Sequence, residues 1–112
     1  MSRRPVELLI DDIWEAIERI EMYTGGMSED TFLADRRTSD AVVRNLEIIG
    51  EAASRLPSDF TQRHGTIEWA KVVGLRHRIV HDYFGIDLRI VWQILQRDLA
   101  GLKAQLKTLR AP

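Results

Sequence analysis

Val6-Glu-Leu-Leu-Ile-Asp-Asp-Ile-Trp-Glu-Ala-Ile-Glu-Arg-Ile20 is the first long periodic segment of the chain. Its apolar residues recur every three or four positions, which places them in one stripe along a single face of an amphipathic helix. Pro5 suits the first turn of this helix, and Gly25-Gly26 is suited to end it. A helix with such a stripe must bury it against other elements, so the fold class depends on whether the rest of the chain forms helices or strands.

The rest of the chain continues the helical periodicity. Apolar residues in segments 42–56 and 88–109 are again three or four positions apart, and Pro57 ends the first of these segments. Ser28 is predicted to cap a short second helix, and the third helix is predicted to start near Thr38 or Ser39. After a loop over 57–65, a fourth helix is predicted from Trp69, with Thr66 as its cap. Gly85 is predicted to interrupt the chain before a last helix that Asp87 caps. No segment shows sustained strand alternation. Short linkers favour antiparallel neighbours, so the sequence predicts an all-α, up-and-down bundle of four to five helices.

Length and composition narrow the class of protein. The chain has 112 residues, of which 45% are hydrophobic and 29% charged, which is typical of one soluble globular domain spanning residues 1–112. It contains no cysteine, which excludes disulfides and cysteine nucleophiles and fits a cytoplasmic protein. No apolar run approaches the roughly 20 residues of a membrane span, and the start does not resemble a secretory signal.

Charge is distributed unevenly along the chain. Residues 1–60 contain 13 Asp or Glu and 7 Lys or Arg, a net charge of −6, whereas residues 61–112 contain 4 and 9, a net charge of +5. This asymmetry suggests either an anionic partner for the C-terminal part or pairing of the two parts, within the fold or in an oligomer. Trp14 and Ile94 add apolar surface beside the stripes of the two terminal helices, which indicates a dimer.

The chemistry-bearing segment is Gly74-Leu-Arg-His-Arg-Ile-Val-His-Asp-Tyr-Phe-Gly85. The imidazole of His81 titrates near neutral pH and can take a proton from a ribose 2′-hydroxyl, and the guanidinium of Arg76 suits phosphate oxygens. On a regular helix these two residues lie about 140° apart. The pair therefore needs a helix that ends or bends near His81, or a second subunit. With that geometry, the two residues suit RNA cleavage by 2′-hydroxyl attack without a metal.

Other interpretations of this segment remain open. His77 and His81 are four residues apart and can share a metal ion with Asp82, Glu51 or another subunit as third ligand. His81 can instead be a buried histidine at a helix end, and Tyr83 can be a core residue with its hydroxyl at the rim. The spacing of these residues alone does not choose among these roles.

The segment resembles the signature of HepT-like proteins of the HEPN superfamily. In that signature four residues separate an Arg from a His, and one residue separates the His from a Tyr. Here these are Arg76, His81 and Tyr83. The residue after the motif Arg is often Asn in such proteins, whereas this chain has His77. The resemblance extends over nearly the whole chain, through Asp11-Asp-Ile13, Ile20–Thr24, Asp40–Arg44, Asn45-Leu-Glu-Ile-Ile-Gly-Glu-Ala52, Trp69, Gly85-Ile-Asp87, Val91-Trp92 and Asp98-Leu99.

The resemblance implies a dimeric helical bundle whose two motif copies face a shared cleft. It implies the toxin half of a type VII-like toxin–antitoxin pair, a metal-independent endoribonuclease that needs no cofactor for cleavage. Arg76 and His81 would be the catalytic pair. The partner would be a minimal nucleotidyltransferase antitoxin, which uses ATP to place AMP on Tyr83 and so blocks RNA from the site.

Three nearby residues are candidates for supporting or RNA-binding roles. Glu51 is expected either to orient Arg76 or His81, or to form an ordinary surface salt bridge. Arg78 is expected to contact RNA phosphates or an acidic side chain, and His77 to act as a second base or an RNA contact. Two functions other than an RNase stay open: a non-catalytic nucleotide-binding partner of a nucleotidyltransferase, and a structural dimer.

Overall fold

The computed structural model describes residues 4–80 and 85–110. These residues form eight helices, more than the four or five expected, and the all-α class is confirmed. The helices are α1 (Val6–Thr24), α2 (Glu29–Ala34), α3 (Arg36–Ser54), α4 (Ser58–Arg63), α5 (Trp69–Val73), α6 (Leu75–Ile79), α7 (Leu88–Arg97) and α8 (Leu99–Arg110). Within the described ranges, no helix is both long and apolar enough to cross a membrane.

The core forms where α1 and α3 pack along their lengths. The predicted stripe of α1 is buried, with Ile13 and Ile17 fully inaccessible, and Val42 and Ile49 of α3 are equally buried. Helix α8 runs antiparallel to α1. Two ion pairs show this arrangement: Lys103 pairs with Glu21 at 2.7 Å, and Arg110 pairs with Asp11 at 2.9 Å.

Those two ion pairs join C-terminal cations to N-terminal acids. Part of the charge asymmetry is therefore neutralised inside the fold, as one of the two interpretations proposed. Trp14 lies half-buried beneath Lys103 and Arg110, and Ile94 is 1% exposed. The chain itself covers both of the apolar residues that suggested a dimer.

Several helix ends agree with the sequence. Helix α1 ends at Thr24 before the glycine pair, and Gly26 has a φ of +81°. The Ser28 hydroxyl caps α2 by accepting from the Thr31 amide, and the Asp87 carboxylate caps α7 by accepting from the Arg89 and Ile90 amides.

The start of α3 differs from the prediction. Thr38 and Ser39 lie inside the helix, and the cap is Asp35, whose carboxylate accepts from both the amide and the hydroxyl of Thr38. Two arginines follow Asp35, and the first apolar residue of the stripe is Val42. Because the stripe begins well after the cap, the apolar pattern places the start of the helix too late.

Residues 57–65 were predicted to be a loop, and this prediction is wrong for 58–63, which form α4. Pro57 occupies the N-cap position, and Phe60 packs against Trp69 at a ring distance of 6.2 Å. Phe60 is the only apolar residue of this short helix, so its sequence shows no periodic stripe.

The predicted fourth and last helices are each divided in two. Gly74 separates α5 from α6, and α5 starts after Glu68 with no side-chain cap, so Thr66 is not its cap. Asp98 separates α7 from α8, where its backbone departs from ideal helix values to φ −106° and ψ −34°. Backbone bonds continue through Asp98 to Ile94 and Leu102, which is why the apolar periodicity of the sequence does not reveal the break.

A short antiparallel connection links α6 to α7. Val80 is extended and pairs with Ile86, and the Asp87 amide donates to the Ile79 carbonyl at 2.7 Å. Gly85, with a φ of +93°, makes the turn that lets the chain come back. Residues 81–84 lie between these two anchors and outside the described part of the chain.

The cap of α3 should depend on pH. The hydrogen bonds from the backbone and then the side chain of Thr38 hold the pKa of Asp35 below its ordinary value of 3.8. The stabilisation is therefore complete above that value and is lost as the pH falls through the lowered pKa. We expect Asp35→Ala to lower the melting temperature by a few degrees at neutral pH. This difference from the wild type should shrink below about pH 3.8.

Circular dichroism melts across this range give the measurement, and Asp35→Asn is the control because Asn caps helices about as well as Asp. A wild-type advantage over Asp35→Ala that stays constant down to about pH 3 would contradict the ionised cap.

The Gly85 turn should not tolerate a side chain. A β-carbon at this φ is strained although the space around it is open, so Gly85→Ala should destabilise the protein by roughly 1–2 kcal/mol. Gly101 is the matched control, since it is exposed in α8 with open space around it, and Gly101→Ala should stabilise by up to about 1 kcal/mol. Urea unfolding measures both, and stabilisation by both substitutions would show that the turn does not need glycine.

Candidate functional site

Helix α6 carries the first half of the motif on a buried anchor. Leu75 and Ile79 are four residues apart and lie in the core at 3% and 0% exposure, while Arg76, His77 and Arg78 between them are exposed. Two apolar residues thus fix the rotation of a five-residue helix. Every basic side chain on α6 is consequently directed outward.

The helix ends before His81. Ile79 is its last residue and Val80 is extended, with φ −88° and ψ 130°. The separation of about 140° calculated for a continuous helix therefore does not apply to Arg76 and His81. This is the condition under which one chain can bring the two residues together. His81, Asp82 and Tyr83 themselves lie outside the described residues.

Arg76 and His77 line a groove between α6 and α3, which we call the α3–α6 groove. Its volume is about 400 Å³, and α3 contributes Arg44, Glu47 and Glu51 to its wall. The sequence-predicted residues Arg76, His77 and Glu51 are thus brought together.

Close approach of the backbones shapes this groove. A β-carbon on Gly50 would lie 3.4 Å from the carbonyl oxygen of Val73, so α5 ends directly against α3 at this glycine. Ile48 and Val73 add apolar surface to the groove, and Val73 is 39% exposed. Apolar and charged side chains thus line the same groove.

Glu51 has a partner on its own helix. Its carboxylate accepts from Nε of Arg55 at 3.2 Å and from Nη2 at 3.0 Å, and both side chains are more than half exposed. This is the surface salt bridge that the sequence left as an alternative. Glu51 still lines the groove that contains Arg76, and its orienting role stays a prediction.

Arg78 faces away from the groove. Its Nη2 donates to Asp98 at the α7–α8 junction at 2.8 Å, and it borders a different cavity of about 220 Å³. Residues 76 and 78 are about 200° apart on a helix, which explains the opposite directions. The acidic partner is the alternative that the sequence offered for Arg78, and its contact with RNA stays a prediction.

Arg44 and Glu47 also line the groove, although no motif in the sequence indicates them as residues of the site. A helical wheel could have found them, because Arg44, Glu47 and Glu51 follow at intervals of three and four and share the exposed face of α3. The opposite face of the same helix carries the core stripe, which includes Val42 and Ile49.

The described part of the chain contains no cluster of metal-ligating side chains. Over residues 4–80 and 85–110, no three His, Asp or Glu side chains lie close enough to share a metal ion. The alternative that combines His77 with His81 and Asp82 falls on residues outside these ranges.

Comparison with known proteins places the chain in a family. It matches the family described as "Ribonuclease HepT-like" over residues 13–109. It is 42% identical over 101 residues to "Probable ribonuclease HepT" of Thermococcus cleftensis, covering 90% of this chain and 92% of that protein. It is 39% identical to "Putative RNase MJ0127" of Methanocaldococcus jannaschii, covering 85% of this chain and 78% of that protein.

A longer relative from the same archaeon also matches. The chain is 36% identical to "Gamma-glutamylcyclotransferase and putative RNase MJ0434", covering 93% of this chain but 47% of that protein. No solved structure matches the chain. Because the family match covers nearly all of the helical bundle, including the motif segment, this protein belongs to the HepT-like ribonuclease family.

Proposed function

We propose that this protein is a metal-independent endoribonuclease. The observation that carries the proposal is the position of Arg76, which is exposed in a groove on the last turn of α6, just before the connection that contains His81. Membership of the HepT-like ribonuclease family and the relatives named as RNases support the same activity.

The proposed reaction needs one base and one cation. The imidazole of His81 takes the proton of a ribose 2′-hydroxyl, and the 2′-oxygen attacks the adjacent phosphorus. Arg76 stabilises the negative charge that builds up on the phosphate oxygens. The bond to the 5′-oxygen breaks, and that oxygen takes up a proton. The products are a 2′,3′-cyclic phosphate and a 5′-hydroxyl.

A homodimer would complete this site. Val80 and Ile86 are among the large apolar residues that remain exposed, at 45% and 40%, and they flank the motif connection. Pairing two copies through this face would bury the exposed apolar residues and bring two motif connections together. The cation of one copy and the base of the other would then lie near a shared cleft.

The proposed biological role is that of the toxin in a type VII-like toxin–antitoxin pair. Its partner would be a minimal nucleotidyltransferase. The phenolic oxygen of Tyr83 would attack the α-phosphorus of ATP, pyrophosphate would leave, and the phenolic proton would be released. The attached AMP would carry a negative charge beside Arg76 and exclude the RNA backbone.

Cleavage should depend on His81 and not on a metal. We expect purified wild-type protein to cut end-labelled RNA in the presence of a chelator and to leave 2′,3′-cyclic phosphate ends. His81→Ala should slow cleavage by at least 10²-fold, because the general base is removed. His64→Ala is the matched control, since His64 borders a different cavity from that of Arg76 and should not affect cleavage.

Loss of cleavage in chelator would refute the metal-free mechanism. If neither wild type nor His81→Ala cleaves RNA while both are folded, the result would instead favour a non-catalytic nucleotide-binding partner of a nucleotidyltransferase.

Modification should require the hydroxyl of Tyr83. After incubation with the cognate nucleotidyltransferase and ATP, the wild-type mass should increase by one AMP unit and cleavage should stop. Tyr83→Phe should keep its mass and stay active, and Tyr23→Phe, which removes an exposed tyrosine hydroxyl on α1, is the control. An AMP adduct on Tyr83→Phe would show that another residue is modified.

A further inference from the structure

We propose that the α3–α6 groove is a binding subsite for one nucleotide of single-stranded RNA, and that Arg44 is the residue that holds its phosphate. The proposal rests on the proposed ribonuclease function and extends it to a residue outside the motif. It concerns how the strand is held next to Arg76.

The size and lining of the groove suit a nucleotide. Its volume of about 400 Å³ is within the range of small-molecule sites. Ile48 and Val73 offer apolar surface against which a base can lie, while charged groups surround them. A base has two apolar faces and polar edges, so its surface matches the apolar and charged lining of the groove.

The order of charges along α3 indicates where a phosphate can lie. Arg44 and Glu51 are seven residues apart, which is about 10 Å along the helix, and Glu47 lies between them. A phosphate is repelled by the central carboxylate of Glu47, so it must lie at an end of the groove. Arg44 occupies one end and Arg76 lies on the facing helix.

The carboxylate of Glu47 then faces the base. Ionised carboxylates only accept hydrogen bonds, and the base edges that donate to them carry amino groups, as in cytosine or guanine. The base therefore lies over Ile48 with its amino edge toward Glu47. One phosphate of the nucleotide is held by Arg44, and the next along the strand lies toward Arg76.

Binding of a short single-stranded RNA to the His81→Ala protein tests this proposal without cleavage. Fluorescence anisotropy over a range of salt concentrations gives the Kd and its salt dependence. We expect Arg44→Ala to raise the Kd by about three- to tenfold and to reduce the slope of log Kd against log salt by about 0.7, which corresponds to one phosphate contact with a single strand. Arg44→Gln, which keeps most of the side chain, should behave like Arg44→Ala.

The matched control is Arg36→Ala. Arg36 is an exposed arginine of the same helix that lies outside the groove, so its removal should leave the Kd and the slope unchanged. Equal effects of Arg44→Ala and Arg36→Ala, or no measurable RNA binding at all, would overturn the subsite. Circular dichroism melts check that each variant is folded.

Parallel cleavage assays separate this proposal from the proposed function. If the wild-type protein cleaves RNA and Arg44→Ala binds as tightly as Arg36→Ala, the ribonuclease stands and the subsite is wrong. If the wild-type protein does not cleave but loses RNA affinity through Arg44, the groove is an RNA-binding site and the ribonuclease proposal fails.

Discussion

The hydrogen bond from the Asp87 amide to the Ile79 carbonyl constrains the whole functional region. At 2.7 Å it ties the end of α6 to the residue whose carboxylate also caps α7. Ile79 is fully buried, so the bond is anchored in the core on the α6 side. The described ends of the motif connection, residues 79–80 and 86–87, are thus held against each other.

The sequence predicts helices that carry an apolar stripe or a clear cap, and it predicts poorly the helices and breaks that show neither signal. The stripe of α1 and the cap at Asp87 are legible because packing and capping impose strict residue patterns. Helix α4 contains a single apolar residue, Phe60, which leaves no periodic pattern to detect. The break at Asp98 is also invisible, since the backbone bonds and the apolar period both continue through it. Local departures of this kind are decided by tertiary contacts rather than by sequence-local patterns.

The candidate site was predictable in part. Arg76 and His77 stand out because most exposed helix faces carry Glu and Lys instead, and the groove brings both to Glu51. Arg78 belongs to the same run of basic residues but does not line this groove, because residues two positions apart on a helix point in nearly opposite directions. Arg44 is 32 residues away from Arg76 in sequence, and only the packing of α6 on α3 makes them neighbours. Groove partners from different helices are a property of tertiary structure.

Net charge is a poor guide to whether this protein can bind RNA. The chain carries a formal charge of −1, yet many of its acids are paired within the fold, including Asp11, Glu21 and Asp98. At physiological salt an exposed charge is screened over roughly 8 Å, so a phosphate in the groove is affected mainly by the side chains that line it. Arg44 and Arg76 therefore count for more than the acidic exterior of α1. A near-neutral protein can hold an anionic strand if the phosphates meet the cations of a groove and the donor groups of a base meet its carboxylates.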